Sequence, residues 1–246
     1  MQLRHPALRS RGQQRGLSLV ELMVGVVVSL FIVAAATLLM STQMTDNRRL
    51  LLETQLQQDL RATADIITRE LRRSSYWAGH AGTVPAPATG TVVANPSMAL
   101  SYVSASNTVN YRYSRVSGAS AFGFKLESGA IKSCQGEPNS DGLCSGDYQE
   151  LTDPKSVTIT AFTVTQERTA SPSNDESLIL PCPNLCSDST TNCWPRVAVR
   201  EFVITLTGTS ASDPTVTRTL RVGVRVRNDR VELSTEAAVN QACPVS

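Results

Sequence analysis

Histidine is nearly missing from this chain of 246 residues: the two copies are His5 and His80. With the N-terminal stretch set aside, a Ser–His–Asp or Cys–His set could be built only around His80. Phosphate-binding and dinucleotide-type glycine patterns are missing too. The formal charge of +2 is close to neutral, so it supplies no basic field for a nucleic acid. No catalytic residue, cofactor or nucleic-acid partner is therefore expected. Cysteine is absent from the first 130 residues, while glycine and proline are absent from Val26 to Arg73. The second absence leaves nothing local to stop a helix.

The small net charge hides an asymmetry. Residues 1–16 carry Arg4, Arg9, Arg11 and Arg15 and no acid, so the remainder of a +2 chain is left two negative. Directly after them, Leu17 to Met40 contains Glu21 as its one ionisable side chain, and Leu22 to Met40 is 19 residues without charge. That is the length of a membrane-crossing helix. Basic residues before such a run stay in the cytoplasm, so the rest of the chain faces outward. Four readings of the run compete. A cleaved signal peptide could use the small residues of "FIVAAAT" (31–37), but the run is long and Glu21 is foreign to it. A plain anchor leaves Glu21 unexplained, and an amphipathic targeting helix fails because the run is apolar all round. The fourth reading gives Glu21 a partner. A buried carboxylate costs about 2.5–3.5 kcal/mol on insertion scales. Cleavage between Gly16 and Leu17 would create an α-amine one helical turn away, on the same chain or on a neighbour, to offset it.

Beyond the run the helical pattern becomes one-sided. Leu52, Leu56, Leu60, Ala64, Ile67 and Leu71 make one apolar stripe, with Arg48, Glu53, Asp59, Arg61, Asp65 and Arg69 elsewhere. A helix over 17–73 would measure roughly 85 Å. The chain then breaks at "SSYWAGH" (74–80), with Gly79 or Gly82 as the expected C-cap and Tyr76 and Trp77 stapling the loop that follows. Strands are expected at 98–105, 108–116, 121–127, 156–167, 196–208 and 215–229. In the last, Val216, Leu220, Val222, Val224 and Val226 oppose Arg221, Arg225 and Arg227. This fits an antiparallel sheet with one face on the helix and one solvated, its arginines discouraging aggregation.

The six cysteines are Cys134, Cys144, Cys182, Cys186, Cys193 and Cys243. An even number confined to the outward part points to disulfides. Zinc is disfavoured, because Cys182, Cys186 and Cys193 lack a second CxxC knuckle. Cys134–Cys144 is the economical bridge, closing a local turn; the other four allow three pairings. Asn139, Asp141, Asp147 and Glu150 suggest calcium only loosely, since an EF-hand beginning at Asn139 would place Cys144 at its sharp-turn glycine.

Gly16-Leu17-Ser18-Leu19-Val20-Glu21 resembles the class III signal of type IV prepilins and type II secretion pseudopilins. In that family a membrane aspartyl peptidase cuts after the glycine and N-methylates the new first residue, and a glutamate at this offset aids assembly. The resemblance thus implies cleavage at Gly16–Leu17, methylation of Leu17, which stands where phenylalanine is commoner, and intersubunit pairing by Glu21. "VRVRN" (224–228) resembles the closing strand of PilW-type minor pilins and J-type pseudopilins, and "ITRELRRSSYWAGH" (67–80) the PilW helix exit. Residues 81–195 carry no matching motif.

The resemblance implies an α+β, type IV pilin-like fold: leader 1–16, membrane and filament-core helix 17–41, amphipathic helix 42–75, and an antiparallel β-sheet head over 76–246. It also implies that Cys243 could staple the C-terminal tail to the 182–193 loop. Functionally it implies a non-enzymatic PilW-kind minor pilin, single-pass in the inner membrane of a Gram-negative bacterium, with its head in the periplasm before joining a pilus on the surface. Its implied partners are the prepilin peptidase, other minor pilins, the major pilin and a large tip adhesin. A J-type pseudopilin and a membrane-anchored periplasmic enzyme or binding domain are the alternatives.

Overall fold

The computed structural model describes residues 16, 18–79, 95–114, 119–169, 179–234, 236 and 243–244. The chain forms two compact units, Met1–Leu50 and Leu51–Ser246.

One α-helix, α1, runs over Leu19–Arg73. In the second unit it buries Leu56, Leu60, Thr63, Ala64, Ile67, Thr68 and Leu71, the one-sided stripe legible in the sequence. Fully burying a leucine or isoleucine is worth roughly 1.5–3 kcal/mol, so the stripe holds this half of the helix in place without help from helix propensity. Thr63 and Thr68 sit in the stripe at little cost, since their hydroxyls donate to Asp59 O and Asp65 O at 2.8 and 3.0 Å.

The helix ends at Arg73, where the 17–73 reading puts it, but its cap is not Gly79. Ser75 adopts the left-handed conformation, φ 65°, and donates its N–H to Arg112 O at 2.7 Å. Side-chain amides satisfy the exit carbonyls: Asn228 Nδ2 donates to Ser74 O at 3.0 Å and Asn95 Nδ2 to Ser75 O at 2.9 Å. Gly79 has another role. A Cβ there would lie 2.4 Å from the Trp77 ring, so any other residue would push that indole aside. Gly82 lies outside the described residues.

Ten strands follow among the described residues: β1 (Leu100–Val103), β2 (Thr108–Ser114), β3 (Ala119–Glu127), β4 (Ala130–Gly136), β5 (Tyr148–Glu150), β6 (Val157–Thr169), β7 (Arg196–Ala198), β8 (Arg200–Ser210), β9 (Thr217–Arg225) and β10 (Arg230–Glu232). Every pairing is antiparallel, but the strands form three sheets, β1-β2-β3-β4-β5, β6-β8-β9 and β10-β7. The single strand expected at 196–208 is split at Val199 between two of them. β4, β5 and β10 have no counterpart among the expected strands. The two larger sheets supply one core with the helical stripe, including Tyr111, Phe122, Phe124, Ile131, Phe162, Ile204 and Leu206. Ser128 and Gly129, with φ 54° and 76°, form the two-residue turn between β3 and β4. That mirror-image turn matches the twist of a hairpin. Ile159 N donates to Gly129 O at 2.8 Å, which joins the turn to β6.

Along β9 and the residues flanking it, Val216, Val224 and Val226 are buried and Leu220 and Val222 half-buried, while Arg221, Arg225 and Arg227 are exposed, so the expected faces are present.

Candidate functional site

The first unit carries the expected signal and apolar run. α1 starts at Leu19, with Ser18 O accepting from Leu22 N at 3.0 Å, and Glu21 lies in its first turn. A carboxylate there meets the positive end of the helix dipole. Gly16 lies just upstream; Leu17 and the leader residues 1–15 are outside the described residues.

Downstream, large apolar side chains point outward: Leu19 is 75% exposed, Phe31 74% and Leu38 71%. A Cβ at Gly25 would meet nothing within 4 Å. An uncovered apolar surface of this extent marks a membrane or protein contact. The segment is long and apolar enough to cross a membrane. Its polar groups fit that setting. Ser29, Thr37, Thr42 and Thr45 donate their hydroxyls to carbonyls three or four residues back, at 2.8–3.1 Å. In hydrocarbon such groups have to be satisfied within the segment.

The second unit offers no comparable chemical site among the described residues. All six cysteines are bridged, Cys134–Cys144, Cys182–Cys243 and Cys186–Cys193, so none is a thiol nucleophile or thiolate ligand. The sequence left the pairing of the last four open; in the structure Cys243 joins the tail to the 182–193 loop. Cys186, Cys193 and Glu236 have donor atoms within 4.8 Å of one another, but both sulfurs are in a disulfide. Glu236 instead accepts from Ser187 N and Oγ, at 2.7 and 2.9 Å. Asn139 Oδ1 accepts from Asp141 N and Leu143 N, at 3.0 and 2.8 Å, which turns the disulfide-closed loop and occupies the leading calcium-ligand candidate. His80 lies outside the described residues.

A groove of about 440 Å³ runs between α1 and the five-stranded sheet, lined by Ile66, Glu70, Tyr111, Phe122, Phe124 and Gln149 among others. Two acids line it, Glu70 and Asp147; Glu70 is engaged, accepting from Tyr113 Oη at 3.1 Å and pairing with Arg73 at 3.3 Å. Lys132 and Lys125, each 2.9 Å from Glu127, hold the Glu127 carboxyl down to about 2. That trio lies on the surface at the β3–β4 hairpin. Burial pushes the Tyr102 phenol up, and its hydroxyl donates to Phe162 O at 2.9 Å.

Sequence reasoning missed the polar network under the helix exit. Arg200 is buried, and its guanidinium donates to Ser75 Oγ, to Met98 O at 3.0 Å and to Asn228 O at 3.1 Å. The alternation of the strand placed Arg200 on the core face, but an arginine there reads as an exception to the pattern.

Two family models match the chain. One, the prokaryotic N-terminal methylation motif, matches residues 11–37. The other, prepilin peptidase-dependent protein B, matches residues 49–226. The chain belongs to that family. Members of the prepilin peptidase-dependent protein B family are structural rather than enzymatic, so this is a type IV pilin-like protein, not an enzyme. The motif implies processing by a prepilin peptidase, assembly with pilin-type partners, membrane anchoring and association with a pilus. The α+β arrangement anticipated from sequence, a long N-terminal helix with antiparallel sheets, is the observed one. Among solved structures, the type IV-like pilin TTHA1219 from Thermus thermophilus is similar at 12% identity and a TM-score of 0.40, over 70% of this chain and 96% of that one. No curated protein matches.

Proposed function

We propose that this member of the prepilin peptidase-dependent protein B family is a minor pilin of the PilW kind. The prepilin peptidase cuts between Gly16 and Leu17 on the cytoplasmic side and methylates the new amine of Leu17. The leader is then 1–16, the membrane and filament-core segment 17–41, the amphipathic segment 42–75 and the head 76–246. Glu21 pairs with an N-terminal amine, its own or a neighbour's, and so sets the register of packed helices. The subunit waits in the inner membrane of a Gram-negative cell with its head in the periplasm. It then joins other minor pilins and the major pilin to prime assembly at the filament tip, where the complex can present a large adhesin.

The observation that carries this reading is the pairing of a methylation motif with an outward-facing apolar helix that bears one carboxylate in its first turn. A soluble enzyme has no use for either. Two measurements test it. Intact mass of the membrane-extracted protein should give a chain beginning at methylated Leu17; a cut within 31–37 would favour ordinary signal cleavage. Deleting the gene should reduce surface pili while leaving secreted enzymes at their normal level. The reverse result would assign the chain to type II secretion as a J-type pseudopilin.

A further inference from the structure

β9 is an edge strand, paired with β8 alone among the described residues. The register from Glu201↔Arg225 to Thr209↔Thr217 has no shift, and two bonds flanking it fix its phase. Ser210 N donates to Val216 O at 3.0 Å, and Val226 N to Arg200 O at 3.1 Å. Backbone groups alternate in direction along an antiparallel strand. Even-numbered residues of β9 therefore point theirs at β8, and odd-numbered residues point theirs away. Arg227 continues this phase and closes the open edge, its N–H going to Arg72 O at 3.2 Å. Before that point Thr217, Thr219, Gly223 and Arg225 are exposed, and a Cβ on Gly223 would meet nothing within 4 Å.

A nine-residue edge without proline or bulge is a template for another strand. Its charge selects which one. Residues 215–228 hold Arg218, Arg221, Arg225 and Arg227 and no acid. Arg218 is on the helix side, paired with Glu53, while exposed Arg225 makes a long 3.7 Å pair with half-buried Asp229 that a closer acid could displace. Antiparallel addition of a second copy centred on Gly223 would set Arg221 against Arg225, and like charges directly opposite are destabilising. Half-buried Leu220 and Val222 border the same edge on its other face.

We propose that the β9 edge accepts an extended segment of a different subunit by strand addition, a segment that alternates apolar residues with Asp or Glu. Main-chain bonds at Thr217, Thr219, Gly223 and Arg225 supply affinity. The acids meet Arg221 and Arg225 and fix the register, and the apolar residues cover Leu220 and Val222. That the donor is another pilin-type subunit rests on the proposed function; that the edge takes an acidic strand does not.

The test uses the full mature chain in detergent micelles, followed by amide hydrogen exchange. Its probes are two synthetic peptides matching the 9 residues of β9, one alternating Val and Glu, the other Val and Lys. Without peptide, the amides of Thr217, Thr219 and Gly223 should exchange about tenfold faster than those of Arg218, Leu220 and Val222. The Glu peptide should slow the first set about tenfold, and the Lys peptide should change them by less than roughly twofold. Protection before any peptide is added, or equal protection by both peptides, overturns the proposal. Gly223→Pro deletes an outward N–H and no bond to β8, so it should keep the melting temperature and abolish protection. The double reversal R221E/R225E leaves the backbone alone and should swap the preference to the Lys peptide; an unchanged preference also overturns the proposal. Pilus counts after gene deletion read the proposed function separately, so the two claims fail independently.

Discussion

Arg200 and Ser75 are 125 residues apart in sequence, and the guanidinium of one donates to the hydroxyl of the other inside the head. The same side chain reaches Met98 O and Asn228 O, tying β8, the helix exit, the segment before β1 and the β9–β10 turn together. No carboxylate is among these acceptors, and burial pushes the guanidinium below its ordinary value. Removing it leaves several oriented acceptors empty in a buried site. Arg200→Ala should lower the unfolding free energy by about 3 kcal/mol, read from denaturant midpoints at constant m-value. Arg200→Lys should recover little, because one ammonium cannot span three acceptors held in a fork.

The bridges should differ in worth. In the chain-entropy description, closing a longer loop restrains the unfolded chain more. Cys182–Cys243, with a separation of 61, should contribute about 4 kcal/mol. Cys134–Cys144 and Cys186–Cys193, with separations of 10 and 7, should each contribute roughly 2–3 kcal/mol. Paired Cys→Ser variants compared by urea unfolding check the order, and non-reducing peptide maps check the connectivity.

Glu127 gives the head an acid-sensitive point. Its carboxyl sits at about 2 instead of the usual 4.5, first because Lys132 and Lys125 donate to the charged form. A depressed carboxyl contributes stability above its unfolded value, and loses that contribution as pH falls through the folded one. The acid limb of stability between about pH 4.5 and 2 should thus be shallower in Glu127→Gln than in the parent chain. Molar salt should shrink the difference, since the trio is on the surface.

At the β3–β4 turn, Gly129→Ala places a Cβ at positive φ and 3.0 Å from Thr158 Cγ2. A loss of about 1–2 kcal/mol is expected from strain and crowding together. Ser128 has positive φ but is not a glycine, so Ser128→Asn, better tolerated in the left-handed region, should raise thermal stability slightly.

On the proposed reading, Glu21→Ala removes one charge from the first turn of α1 and leaves the head intact. Thermal unfolding of the head should be unchanged, while incorporation into surface pili should fall at least about tenfold, as loss of a paired intramembrane charge implies. Normal incorporation would remove the pairing role from Glu21.

Legibility in the sequence follows physical range. The stripe from Leu56 to Leu71 and the alternation from Val216 to Val226 are local periodicities, so the order of residues alone displays them. β4 is hidden because Lys132, Ser133, Cys134 and Gln135 interrupt alternation, and the strand exists through its partners on β3 and β5. β5 and β10 are three residues each, too short to carry a pattern. Local pattern puts the helix stop at a glycine, but Ser75 makes it, because acceptors and donors from Arg112 and Arg200 hold that serine left-handed. The partner of Cys243 cannot be deduced from spacing either, since that bond depends on where β10 delivers the tail. By contrast the signal around Gly16 and Glu21 is linear chemistry, readable as a string.

The hydroxyls of Ser29, Thr37, Thr42 and Thr45 have a last consequence. Because each is already bonded to its own helix, these four hydroxyls ask no acceptor of whatever surrounds them. Lipid tails and tightly packed neighbouring helices are then nearly interchangeable environments, differing in dispersion and shape rather than in polar demand. Such a helix can be drawn out of one environment into the other, and returned, without breaking a bond along its length. The exception is its first turn, where, on the proposed reading, Glu21 makes the two environments unequal and gives the traffic a direction.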